Sequence, residues 1–152
     1  MEMEMTAAVI AGLALIAAAC AALRARFRRA GHGQELDDME GLEFEAYCAR
    51  LLAGNGFVEV EVTKSSGDYG IDILAEKEGV TYAVQCKRYT APVGVKAVQE
   101  AYAGRDYYDR MVGAVMTNQY FTKPAAEAAR KLKILMWDRD YIEFLEDENG
   151  HG

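Results

Sequence analysis

Gly67-Asp68-Tyr69-Gly70-Ile71-Asp72-Ile73-Leu74-Ala75-Glu76, a Lys77-Glu78-Gly79 turn, then Val80-Thr81-Tyr82-Ala83-Val84-Gln85-Cys86-Lys87: this stretch decides the fold. β-Branched and aromatic residues dominate both halves, and a Glu-Gly turn joins them, so the stretch predicts two buried strands in a hairpin. Side chains two apart on a strand share a face. Gln85 and Lys87 therefore point one way, and Val84 and Cys86 the other. Asp72, between Ile71 and Ile73, and Lys87 are charges set among apolar neighbours, a costly placement unless they are paired or solvated. An Asp and a Lys brought together across a hairpin satisfy each other, and a divalent cation can join them.

Those residue types also suit metal-dependent phosphodiester hydrolysis. A hard cation takes carboxylate and carbonyl oxygens. It polarises a phosphate and lowers the pKa of a bound water. A nearby ammonium holds or activates that water and offsets charge in the transition state. Spacing alone does not separate this reading from a plain buried ion pair.

Gly-Asp-Tyr-Gly-Ile-Asp followed by Val-Gln-Cys-Lys-Arg-Tyr resembles the catalytic domain of the Mrr-type restriction endonucleases. That family belongs to the PD-(D/E)xK nuclease superfamily and carries a Gln-x-Lys variant of its signature. The likeness runs on through Pro-Val-Gly-Val-Lys-Ala-Val-Gln-Glu and Thr-Asn-x-x-Phe-Thr-x-x-Ala, and covers nearly all of residues 40–145. It implies an α/β fold, a restriction-endonuclease-like three-layer α/β/α with a mixed central sheet. It also implies an Mg²⁺- or Mn²⁺-dependent DNA endonuclease of the type IV restriction kind. In that scheme Asp72, Glu45 and the backbone carbonyl of Cys86 hold the metal. Lys87 positions or deprotonates the attacking water, and Gln85 stands where the signature usually has an acid. The loop before Asp72 lies beside the site in the family, so Lys64 and Ser66, with Arg88, are expected to meet DNA phosphates. A polar residue on the helix after Pro92 assists the site in relatives, and Glu100 is the matching choice, against a surface salt bridge.

The chain has 152 residues, 51% of them hydrophobic and 27% charged, which is enough for one domain with its own core. Three cysteines, Cys20, Cys48 and Cys86, form neither a zinc spacing nor a disulfide framework, and read as small buried residues of a reducing compartment. The two histidines, His32 and His151, stand in polar flanks, which disfavours His-based metal or triad chemistry. A net charge of −7 argues against a protein that coats nucleic acid nonspecifically.

Residues 6–23 contain no charge, and Arg24, Arg26, Arg28 and Arg29 follow at once. A helix of this length is about 27 Å long, just enough for a thin hydrocarbon core. With Glu2 and Glu4 ahead of it, the charge bias puts the N-terminus outside and the rest in the cytoplasm. The acidic start disfavours a cleaved signal peptide. The expected order is a tail at 1–5, a transmembrane helix at 6–23, a basic juxtamembrane segment and linker at 24–38, the nuclease domain at 39–146, and a tail at 147–152. The expectation is a single-pass protein of the cell membrane with its nuclease domain cytoplasmic. Residues 35–152 carry 22 acidic and 13 basic side chains, a balance of −9, so the basic cluster belongs to the membrane edge.

Within the domain, Phe44, Tyr47, Cys48, Leu51 and Leu52 recur at helical spacing and predict a helix over 39–53, capped by Asp37 or Asp38 and ended by Gly54-Asn55-Gly56. Glu45 lies about 20° from Leu52 on that helix, at the border of the apolar stripe, while Glu43 points further away. Alternation over 57–63, with Phe57, Val58, Val60 and Val62 and with Glu59 and Glu61 between them, predicts a half-exposed first strand. A helix over 94–107 buries Val95, Val98 and Tyr102. A strand over 111–116 and a helix capped by Thr122 follow. A short strand over 134–137 and a last helix capped by Asp138 complete the set. Strand–helix alternation in this half implies parallel pairing.

The reading from another class is a noncatalytic DNA-binding or protein-interaction module that keeps the nuclease fold. DNA and the membrane are the expected partners. A homodimer, the DNA substrate and any sequence specificity stay open.

Overall fold

The structure, a computed structural model, describes residues 10–12, 14–23, 35–63 and 69–149. Two compact units divide the chain, one ending at Glu35 and one beginning at Leu36. In the first, residues 10–12 and 14–23 are helical, and among the described residues no helix is long and apolar enough to cross a membrane. The rest of the expected span at 6–23 and the arginine cluster after it lie outside the described residues. Cys20 is exposed, unlike the buried Cys48 and Cys86.

The second unit starts three residues before the expected 39, because Leu36 is buried in the core. Its elements are α1 (Gly41–Gly54), β1 (Val58–Val62), β2 (Ile73–Lys77), β3 (Val80–Lys87), α2 (Val95–Tyr107), β4 (Val112–Thr117), α3 (Lys123–Leu132), β5 (Ile134–Trp137) and α4 (Arg139–Asn149). The five strands lie in the order β1-β2-β3-β4-β5. The first three pair antiparallel, and β3, β4 and β5 pair parallel, so the sheet is mixed. Glu78 and Gly79, at φ +54 and +78, form the two-residue turn whose backbone twist suits the β2–β3 hairpin.

Alternation along the strands sorts side chains into two cores. Val84, Cys86, Ala114 and Met116 join Phe44, Cys48 and Leu52 of α1 and Ile142 and Leu145 of α4. Val115, from the opposite face of β4, packs with Ala97, Val98 and Ala101 of α2 and Ala125 and Ala129 of α3. This is the three-layer α/β/α arrangement, with β3 at its centre.

Three local expectations are corrected. Glu40, not Asp37 or Asp38, occupies the N-cap of α1, in a capping box with Glu43. Asp37 is drawn away to Asn118 and Arg139. In β1 the alternation fails: Val58 and Val62 are exposed, because an extra residue shifts the register between Val58 and Glu61. Glu59, at φ +50, marks that bulge on an edge strand. The buried seam of α2 is Ala97, Val98, Ala101 and Gly104, and Tyr102 is exposed. Close packing decides this: a Cβ on Gly104 would lie 2.3 Å from Ile71 Cγ1.

Candidate active site

Asp72, at the mouth of the β2–β3 hairpin, and Lys87, at the end of β3, come to the same end of the sheet because the two strands are antiparallel. The Asp72 carboxylate accepts the backbone N–H of Cys86 at 2.6 Å, and the Asp72 N–H donates to the Val84 carbonyl at 2.9 Å. Thr63 closes the loop between β1 and β2, its N–H donating to the Asp72 carbonyl and its hydroxyl to the Ile71 carbonyl. Asp72 is thus held by backbone on three sides.

Gln85 is 1% exposed. Its Nε2 donates to Glu100 Oε2 of α2 at 2.6 Å, and its Oε1 is buried without a hydrogen-bond partner. A carboxylate at pH 7 only accepts, so the amide nitrogen must be the end that faces Glu100. Lys87 Nζ reaches the same Glu100 Oε2 at 3.0 Å, and Lys96 Nζ lies 3.7 Å from the other oxygen. Burial works to raise the Glu100 pKa, but the hydrogen bonds from Gln85 and Lys87 and the charges of Lys87 and Lys96 outweigh it and hold the carboxyl below its ordinary range. Gly70, at φ +78, passes over this pair: a Cβ there would lie 2.9 Å from Gln85 Nε2 and 3.3 Å from Glu100 Cβ.

Glu45 is half-buried on α1, next to the apolar stripe. It approaches the same end of β3 as Asp72. The Cys86 thiol is pushed well above its ordinary pKa by a hydrogen bond with Cys48, then by burial, and then by the charges of Cys48, Asp72 and Glu45. Glu43 is occupied in the capping box, its carboxylate accepting the Glu40 N–H at 2.9 Å.

Among the described residues no group of three or more His, Cys, Asp and Glu side chains stands ready to hold a metal. A divalent cation here would draw on a different set: the Asp72 and Glu45 carboxylates, the Cys86 carbonyl and the unpartnered Gln85 Oε1. All are oxygens, as Mg²⁺ or Mn²⁺ requires, and the orphaned amide oxygen is the kind of acceptor that a cation or its water satisfies. The donor set fits.

Lys64 and Ser66 lie outside the described residues. Arg88 turns inward, its guanidinium donating to the Asp37 carbonyl. It ties the segment after β3 to the start of the unit.

Asn118, a structural support for the segment after β3, was not legible in the sequence. It is fully buried just after β4 and grips Tyr89, two residues beyond Lys87. Its Oδ1 accepts the Tyr89 N–H at 2.8 Å, and its Nδ2 donates to the Tyr89 carbonyl at 2.9 Å and to Asp37 Oδ1 at 2.7 Å. Arg139 Nε donates to its carbonyl at 2.7 Å. A Thr-Asn pair closing an apolar run reads as a strand end, and only the fold reveals the clamp.

Residues 36–145 match a protein family described as restriction endonuclease, Mrr_cat. No curated protein matches the chain. Solved structures do. A protein of unknown function, AF1548, is 27% identical at a TM-score of 0.59, over 70% of this chain and 65% of that one. The MspJI restriction endonuclease in complex with a 27-mer oligonucleotide is 19% identical at a TM-score of 0.61, over 77% of this chain and 30% of that one. The DNA modification-dependent restriction endonuclease AspBHI is 19% identical at 0.59, over 78% and 35%. The chain spans under two thirds of the first and about a third of the other two. At 19% identity the last two show a shared fold.

Proposed function

The chain belongs to the restriction endonuclease family, and we propose that it is a divalent-metal-dependent DNA endonuclease of the Mrr type. The observation that carries this reading is the buried, unpartnered Gln85 Oε1, on the strand that also carries Lys87 and whose Cys86 N–H holds the Asp72 carboxylate. A buried amide oxygen left without a partner costs free energy, and a cation or its bound water would recover that cost.

In this reading Asp72, Glu45, Gln85 Oε1 and the Cys86 carbonyl hold Mg²⁺ or Mn²⁺. When bound, the cation supplies Lewis-acid polarisation of a phosphate and a water of lowered pKa. Asp72 is kept in place by the Cys86 N–H, so its carboxylate needs little reorganisation. Lys87 offers its ammonium to the attacking water or the developing charge on the phosphate, while Glu100 limits where that ammonium can go. Gln85 in place of an acid leaves the donor set one negative charge short, which weakens metal affinity. Lys64 and Ser66 would meet the DNA backbone. Residues 6–23 would tether the domain to the cytoplasmic face of a membrane.

The noncatalytic reading has one observation in its favour. Asp72 with the Cys86 N–H, and Lys87 and Gln85 with Glu100, satisfy most of one another's polar groups without a metal. Thermal unfolding with and without Mg²⁺ or Mn²⁺ separates the two. A metal site raises the melting temperature through linkage, by about 2.7 kcal/mol of stabilisation at a hundredfold excess over Kd, and Asp72→Ala removes the rise. A wild-type melting temperature indifferent to both cations would favour the noncatalytic module.

A further inference from the structure

We infer that Glu100 is a positioning residue that decides which end of the Gln85 amide is offered to the metal site. The inference rests on the metal-dependent reading above. A carboxylate at position 85 would need no such guidance, because both of its ends are oxygens. An amide has one oxygen and one nitrogen, and a cation site is served only by the oxygen. Something outside the site must set the direction, and it must be a pure acceptor.

Glu100 is that acceptor. Its Oε2 takes the Gln85 N–H at 2.6 Å, which leaves Oε1 as the free end, buried and unpartnered. The opposite orientation would set the amide oxygen against a carboxylate. The same Glu100 oxygen holds Lys87 at 3.0 Å. This second bond matters as much. Lys87 is a donor with no acceptor capacity, and without Glu100 its ammonium is released to turn to the Gln85 oxygen, two residues away on the same face of β3. The amide would then turn toward Lys87, and both groups would leave the site together. Gly70 lets the chain pack over the pair, since a Cβ would press on Gln85 Nε2. Glu100 contacts the Gln85 amide and the Lys87 ammonium directly, so its role is exercised through those two side chains.

The test is a set of three full-length proteins: wild type, E100Q, and the transposed double variant Q85E/E100Q. Each is titrated with Mn²⁺ by calorimetry in the absence of DNA and then assayed for plasmid cleavage across Mn²⁺ concentrations. Glu100 sits at the surface of α2, 30% exposed, so E100Q is expected to fold, and metal-free melting checks it. In E100Q the Mn²⁺ Kd should rise roughly ten- to hundred-fold, the worth of one charge-assisted hydrogen bond that now competes for the amide oxygen. In the double variant the amide at 100 can donate to a carboxylate at 85, which presents an oxygen whichever way it turns. Its Mn²⁺ Kd should return to the wild-type value or below. A merely structural ion pair predicts a lower melting temperature for E100Q with the Kd unchanged, and that result would overturn the inference. So would a double variant as weak as E100Q. If wild type itself bound no Mn²⁺ and cut no DNA, the metal-dependent reading would fall and take the inference with it. Wild-type binding with an indifferent E100Q would remove the inference alone.

Discussion

The Asp72 carboxylate accepts the backbone N–H of Cys86 at 2.6 Å, and this one bond joins the start of β2 to the end of β3 where Lys87 emerges. Asp72 therefore has a structural duty beside its proposed chemical one, and the two are separable. Asp72→Asn keeps an oxygen for the Cys86 N–H and should cost little stability while abolishing cleavage. Asp72→Ala orphans that N–H and should cost about 1–3 kcal/mol as well. Urea unfolding of both variants, beside a cleavage assay, checks the split.

Glu100 makes stability depend on acid. Its folded-state pKa is held below the unfolded value, so its contribution is fully present above the unfolded pKa, near 4.3 for a free Glu. As pH falls through the folded pKa the carboxyl takes up its proton, and the contribution is lost. Melting temperatures between about pH 3 and pH 7 should fall more steeply for wild type than for E100Q on the acid side of pH 4.3. Parallel curves would show that Gln85 and Lys87 do not stabilise the charged form.

Asn118 makes four hydrogen bonds through its side chain and carbonyl, to Tyr89, Asp37 and Arg139. Asn118→Asp keeps an acceptor for the Tyr89 N–H but loses both donated bonds and puts a charge against Asp37. It should destabilise by about 3 kcal/mol or more, beyond Asn118→Ala, because a buried unpaired charge costs more than a missing amide. Denaturant midpoints give the order. An Asn118→Asp as stable as wild type would mean that the clamp is open in solution.

Gly70→Ala adds a Cβ at φ +78, and that Cβ would lie 2.9 Å from Gln85 Nε2. Backbone strain of about 1–2 kcal/mol is expected, with a displaced amide in addition. Activity should therefore fall by more than the loss of stability explains. The cation concentration for half-maximal cleavage should rise. Gly79→Ala has a similar φ with nothing within 4 Å, and serves as the control for strain alone.

The layers of this fold were readable because periodicity reports burial. The apolar run of β4 is buried almost throughout, and the helix and short strand expected after it fall at Lys123–Leu132 and Ile134–Trp137. Periodicity failed where a local device overrode it. A bulge at Glu59 turned β1 out of register, and the contact of Gly104 with Ile71 rotated the buried seam of α2 away from Tyr102. The site was partly legible for a similar reason. Asp72, Gln85 and Lys87 stand within one hairpin, where two-residue alternation and the turn fix their placement. Glu100 and Asn118 act across 13 or more residues of chain, and Asp37 reaches Asn118 over 81 positions. No spacing rule sees such contacts. The helix at 10–12 and 14–23 shows the limit of composition, since an uncharged Ala-rich run is helical whether or not it meets lipid.

Cleavage of supercoiled plasmid by the full-length protein tests the central claim most directly. Methylated and unmethylated plasmid would each be incubated with Mg²⁺, Mn²⁺ or EDTA, beside Asp72→Ala and Lys87→Ala. The account predicts nicked and linear DNA with a divalent cation, none with EDTA, and none from either variant. Folded wild-type protein that leaves both plasmids intact under every condition, or cleavage that survives in Asp72→Ala, would contradict it.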